Sequence, residues 1–115
     1  MNKEECIKLG IDYDQGVGRF MGNTALYEKY ALKFLDDKTF DELRTAMKAS
    51  DTQQAFYAAH TLKGVAGNRS FNLFLDKVIP LVEALRGGDQ AKADELYPIV
   101  AAEYERLIAG LEAQK

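Results

Sequence analysis

His60 is the only histidine in the chain, and it stands with a lysine three residues on and a glycine four residues on, in the run Ala59-His60-Thr61-Leu62-Lys63-Gly64-Val65-Ala66-Gly67-Asn68. If this run is helical, each residue advances about 100°, which sets Gly67 at about −20°, Gln53 at about 20°, Gly64 at about 40° and Lys63 at about −60° from the histidine. An imidazole, an ammonium and a stretch of bare backbone then share one face. Ala55, Ala58, Ala59, Leu62, Val65 and Ala66 fall together in an arc from roughly 140° to 260°, the width of a core-facing stripe. A lone histidine on an amphipathic helix is more commonly a packed residue with a satisfied hydrogen bond. Here the wheel turns it toward solvent.

The glycines sharpen this expectation. A helix-interior glycine costs about 0.8 to 1 kcal/mol relative to alanine, and this segment carries Gly64 and Gly67 within a turn of each other. Two explanations stand for each. Either the missing Cβ lets a phosphate or another macromolecule's backbone come close to the histidine, or Gly67 approaches the helix end and Gly64 receives a neighbouring helix. The chemistry that suits the face is phosphoryl transfer through a phosphohistidine. With a reference pKa of about 6.5, an exposed imidazole is largely neutral and nucleophilic near pH 7. Phosphorylation adds about −1.5 to −2 charge, and Lys63, one turn along, is within reach to offset it. Such transfer is mostly positioning and charge neutralisation, so little more is asked of this chain.

The elements that must position this face read as helices. Apolar residues recur at helical spacing, β-branched alternation is scarce, and capping pairs repeat: Asn2 with Glu5, Asp12 with Gln15, Thr39 with Glu42, and Ser50 or Asp51 with Gln53 or Gln54. Helices are expected at 3–9, 12–20, 24–36, 40–49, 52–68, 71–86 and 89–112, with Ser70 available to cap the one beginning at Phe71. The apolar stripes are Leu26, Tyr30 and Phe34; Leu43 and Met47; Phe74, Val78, Leu81 and Leu85; and Leu96, Val100, Tyr104, Leu107 and Leu111. Short connections make successive helices antiparallel neighbours. The fold class expected is all-α, an antiparallel up-and-down four-helix bundle over 24–112 with additional short N-terminal helices within 1–22. Pro80 and Pro98 fall inside helices and should bend them; alternatively Pro98 opens a separate helix after a break near Tyr97.

Composition narrows the function. A chain of 115 residues, 47% hydrophobic and 29% charged, builds one domain over 1–115 with one core. A net charge of −3 gives no footprint for nucleic acid. The first residues lack the apolar run of a signal peptide and no stretch is long enough to span a membrane, so a cytoplasmic location away from membranes is expected. Cys6, the one cysteine, is read as packing, and with a single histidine no metal centre is expected. Gly16-Val17-Gly18-Arg19-Phe20-Met21-Gly22 has the wrong spacing for a dinucleotide loop and reads as a turn joining two short helices. The only serines, Ser50 and Ser70, lie near the ends of the His60 helix, too far along its axis to form a nucleophile pair with it. The chain is therefore not expected to be an enzyme in its own right.

The run Ala59 to Gly64 with the following Ala66 and Asn68 resembles the signature of histidine-containing phosphotransfer (HPt) domains of two-component phosphorelays. Phe20-Met21-Gly22-Asn23, the helix with Leu26 and Phe34, Ser50-Asp51 and Gly88-Asp89 also fall where that family has similar elements, so the resemblance covers nearly the whole chain. It implies that His60 accepts a phosphoryl group from an aspartyl phosphate on one receiver domain and passes it to another, with Lys63 supporting the phosphate and Gly64 giving clearance. Partners implied are response-regulator receiver domains and a sensor histidine kinase. No cofactor is implied for this chain, Mg2+ belonging to the receiver, and a monomer is expected. Phe56 and Tyr57, at about −40° and 60° on the wheel, would form an apolar collar for the receiver together with Gln53 and Gly67; the alternative for Phe56 is packing on the adjacent helix. Two departures stand out: Arg69-Ser70 replaces an aliphatic residue and a glycine, and Val82 occupies the position where the family often has a polar residue orienting the imidazole. Arg86, one turn beyond, either adds positive charge near the site or is a solvated helix-end arginine. A helical adaptor that binds receiver or kinase domains without carrying phosphate is the alternative function.

Overall fold

Asparagine and aspartate side chains start most of the helices. In the computed structural model, which describes residues 1–115, Asn2, Asp12, Asn23, Asp51 and Asp89 each accept a hydrogen bond from the backbone N–H three residues on, and each such cap stabilises its helix by about 1 kcal/mol. The helices are α1 (Lys3–Lys8), α2 (Tyr13–Arg19), α3 (Thr24–Leu32) running into a 3-10 segment (Lys33–Asp36), α4 (Thr39–Lys48), α5 (Thr52–Asn68), α6 (Asn72–Arg86) and α7 (Gln90–Glu112). No strand forms. No helix is long and apolar enough to cross a membrane.

Two expected caps, Thr39 and Ser70, are not used, and of the pair Ser50 and Asp51 it is Asp51 that caps. Thr39 is buried as the first residue of α4, and its own N–H donates to Asp37 Oδ1 at 2.8 Å. Ser50 and Ser70 sit instead at positive φ, 50° and 60°, in the turns that end α4 and α5. At the α5 end, the Ser70 N–H donates to the Gly67 carbonyl and the Phe71 N–H to the Ala66 carbonyl, the pairing of a helix stop that normally uses glycine in the left-handed position. The Gly16–Gly22 segment is likewise more helix than turn: Gly16 and Gly18 lie inside α2, and the turn proper is Phe20–Asn23.

Packing runs in sequence order, α4 on α5, α5 on α6 and α6 on α7. α4 also reaches α7, where Phe40 stacks on Tyr104 with centroids 3.9 Å apart and 11° between planes. The face of α3 differs from expectation. Tyr27, Ala31 and Phe34 are buried while Leu26 is 48% exposed and Tyr30 half-buried, because the Tyr27 ring lies against Gly16 and its hydroxyl donates to the Arg69 carbonyl at 2.6 Å. Both prolines are accommodated without a break in α6 or α7. Each is exposed, as are Asp76 and Asp94 four residues before them, so the carbonyls that lose a partner are open to water. The short α1 and α2 are tied across the α5–α6 corner: the Asp12 N–H donates to the Ser70 carbonyl and the Leu73 N–H to the Gly10 carbonyl. Cys6 is fully buried.

Candidate functional site

α5 is held by an apolar face made mostly of alanine. Ala55, Ala58, Ala59, Leu62 and Ala66 are buried and Val65 is half-buried; small side chains let the flanking helices approach closely. His60 lies opposite and is exposed, as the wheel required. Its ring neighbour is Phe56, with centroids 5.7 Å apart. Phe56 is half-buried against the core with the Arg86 guanidinium 5.0 Å from its ring centre, whereas Tyr57 is 51% exposed. The collar is thus divided: Phe56 packs and Tyr57 faces out. Gln53 is exposed and donates to the Tyr57 hydroxyl at 3.3 Å. Arg86 pairs with Glu83 at 3.4 Å. Val82 is fully buried and offers the imidazole nothing polar.

His60, Lys63, Gly64, Gly67 and Asn68 form one wall of an open groove of about 530 Å³. α6 supplies Asn72, Leu75 and Ile79, and α2 supplies Gln15 and Arg19. Gln53, Phe56, Tyr57 and Arg86 are not part of it. The two glycines separate here. A Cβ at Gly67 would meet Leu75 Cδ2 at 3.9 Å, an ordinary contact, while a Cβ at Gly64 would meet nothing within 4 Å. No neighbouring helix is seated on Gly64, which removes the packing explanation for it.

The groove is cationic. It holds Lys63 and Arg19 and no carboxylate, in a protein of net charge −3. A groove of about 450 Å³ between α4 and the start of α5 has the opposite character, with Asp41, Glu42 and Asp51 against Lys38. No group of three His, Cys, Asp or Glu side chains is placed to hold a metal ion. What the groove can do chemically is accept an anion beside an exposed imidazole.

No family model, curated protein or solved structure matches this chain. The geometry is what speaks for the site. Gln15, Arg19 and Asn72 were not legible from the histidine helix, because α2 and α6 bring them to the groove from outside it. Arg69, which stands where an aliphatic residue was expected, is buried: its guanidinium lies 3.9 Å from the Tyr30 ring centre, Nε donates to the Tyr30 carbonyl at 3.1 Å and a terminal nitrogen to the Val65 carbonyl at 3.2 Å. It fastens the end of α5 to α3 and leaves the groove open.

Proposed function

We propose that the chain is a histidine phosphocarrier of the HPt kind, an antiparallel up-and-down four-helix bundle with short N-terminal helices that relays phosphoryl groups between receiver domains. The observation that carries the reading is the empty space above Gly64 beside an exposed His60 and Lys63, in a groove with no carboxylate. Lys63 is placed to offset the phosphoryl charge. In the transfer, a ring nitrogen of neutral His60 attacks the phosphorus of the receiver's aspartyl phosphate. The N–P bond forms, the P–O bond breaks, and the carboxylate departs with the electron pair; no proton need move. The onward step is the reverse, with the second receiver's carboxylate attacking and the imidazole leaving. Mg2+ on the receiver supplies the remaining charge stabilisation.

The buried Val82 favours one competing reading, a helical adaptor that binds receiver or kinase domains without carrying phosphate, since no side chain from that position orients the imidazole. Mixing the protein with phosphorylated receiver domains separates the two. The carrier reading expects acid-labile, base-stable label on the parent, none on His60→Gln, and transfer about tenfold slower on Lys63→Ala with an unchanged melt. Label on the glutamine variant, or none on the parent, would sink it.

A further inference from the structure

The far end of the groove has no role in carrying phosphate on His60. From His60 to Asn68 is eight residues, about 12 Å along the helix axis, and Arg19 is tied beyond that point, its Nε donating to Ser70 Oγ at 3.3 Å. A phosphoryl group on the imidazole does not span that distance. A docked protein does. Resting on the phosphocarrier reading, we propose that Arg19 is a second docking point, which receives a carboxylate on the surface of the partner protein while the partner's reacting group meets His60.

Four observations converge on this. Arg44, Arg86 and Arg106 are each paired with carboxylates, and Arg69 is buried against carbonyls. Arg19 alone among the arginines is exposed with no acidic partner. A guanidinium in that state presents a fork suited to a carboxylate. Second, the groove between Arg19 and His60 is floored by Gly64 and Gly67 and contains no acidic side chain to compete for the guanidinium. Third, the turn after Arg19 carries Met21, 98% exposed on left-handed backbone at φ 55°. The fold gains nothing from an apolar side chain there, whereas a partner seated on Arg19 would cover it. Fourth, α2 is held in place by backbone bonds to the α5–α6 corner, so Arg19 stands on a fixed element and not on a free tail. Anchoring at two points separated along the groove sets the angle at which a partner approaches the imidazole, and charge at the outer point steers encounter.

The test begins with protein phosphorylated by phosphoramidate, a donor with no protein surface, then presented to receiver domains over a range of receiver concentration and salt. A parent that takes no phosphate on His60, or yields none to any receiver, fails the carrier reading and this inference with it. Given transfer, Arg19→Glu and Arg19→Gln are compared with Arg19→Lys, the glutamine being neutral but still able to donate to Ser70. At subsaturating receiver the glutamate variant should be about tenfold slower and the glutamine variant intermediate, with lysine close to the parent. The deficit should vanish at saturating receiver and shrink as salt is raised from 0.1 M to 1 M, where the screening length falls from about 10 Å to about 3 Å. Equal receiver dependence in all four proteins would overturn the proposal. So would an equal slowing at saturating receiver, which would place Arg19 on the phosphoryl group instead.

Discussion

Gly64 lacks a side chain where, apart from its chain neighbours and the backbone of its own helix, no atom comes within 4 Å of the place a Cβ would fill. The helix therefore carries the conformational cost of glycine without any internal packing benefit, and alanine there should stabilise the fold by about 1 kcal/mol. The same methyl would stand beside His60, where a receiver's backbone must come. Gly64→Ala is expected to melt a few degrees higher by calorimetry while accepting phosphate from a receiver about tenfold more slowly. A variant both more stable and equally fast would remove the clearance role. This residue was legible in the sequence because the helical repeat fixes which side chains share a face. The collar was legible only in part. Phe56 and Tyr57 sit symmetrically about His60 on a wheel, but α6 lies on one side of α5 there, and only the contact with Arg86 and the core distinguishes the packed ring from the wet one.

Among the elements, α2 shows what periodicity could not reveal. Gly16 and Gly64 look alike as helix-interior glycines, yet an added Cβ at Gly16 would overlap the Tyr27 ring. Gly16→Ala should destabilise by about 1 to 3 kcal/mol in urea titrations, as an overpacked core position does, the opposite sign to Gly64→Ala. Insensitivity at Gly16 would show that α2 can shift off α3. The aspartate and asparagine caps were legible because the bond is local, from a side chain to an N–H three residues away. Ser70 was misread for the same reason: a serine before a helix satisfies the capping rule, and nothing local announces that it instead ends the previous helix at positive φ. In α3 the sequence allows a stripe through Leu26, Tyr30 and Phe34 or through Tyr27, Ala31 and Phe34. Tertiary partners from α2 and the α5 end, Gly16 and the Arg69 carbonyl, select the second.

On the scale of the whole molecule, the N-terminal helices and α3 are joined through tyrosines whose protons the fold retains. Burial, with the Glu28 carboxylate accepting its hydroxyl hydrogen, pushes Tyr13 up to about 12; burial also drives the Tyr27 phenol well above its ordinary range. An unfolded chain ionises these phenols near pH 10, so it loses protons before the folded one does. Stability present below pH 10 should fall as pH climbs toward 12. Urea titrations from pH 8 to 12 should show that decline, and Tyr13→Phe should flatten it; a parent with constant stability across the range would contradict the linkage. These joints matter for function because they hold α2, and with it Arg19, against the corner where the groove ends. The most direct measurement is 31P NMR of the intact protein after treatment with phosphoramidate. One phosphorus resonance per chain, in the phosphohistidine region and absent from His60→Gln, is what an exposed imidazole in an anion-receiving groove should give. A parent without that resonance, or a glutamine variant that retains it, would contradict the central claim.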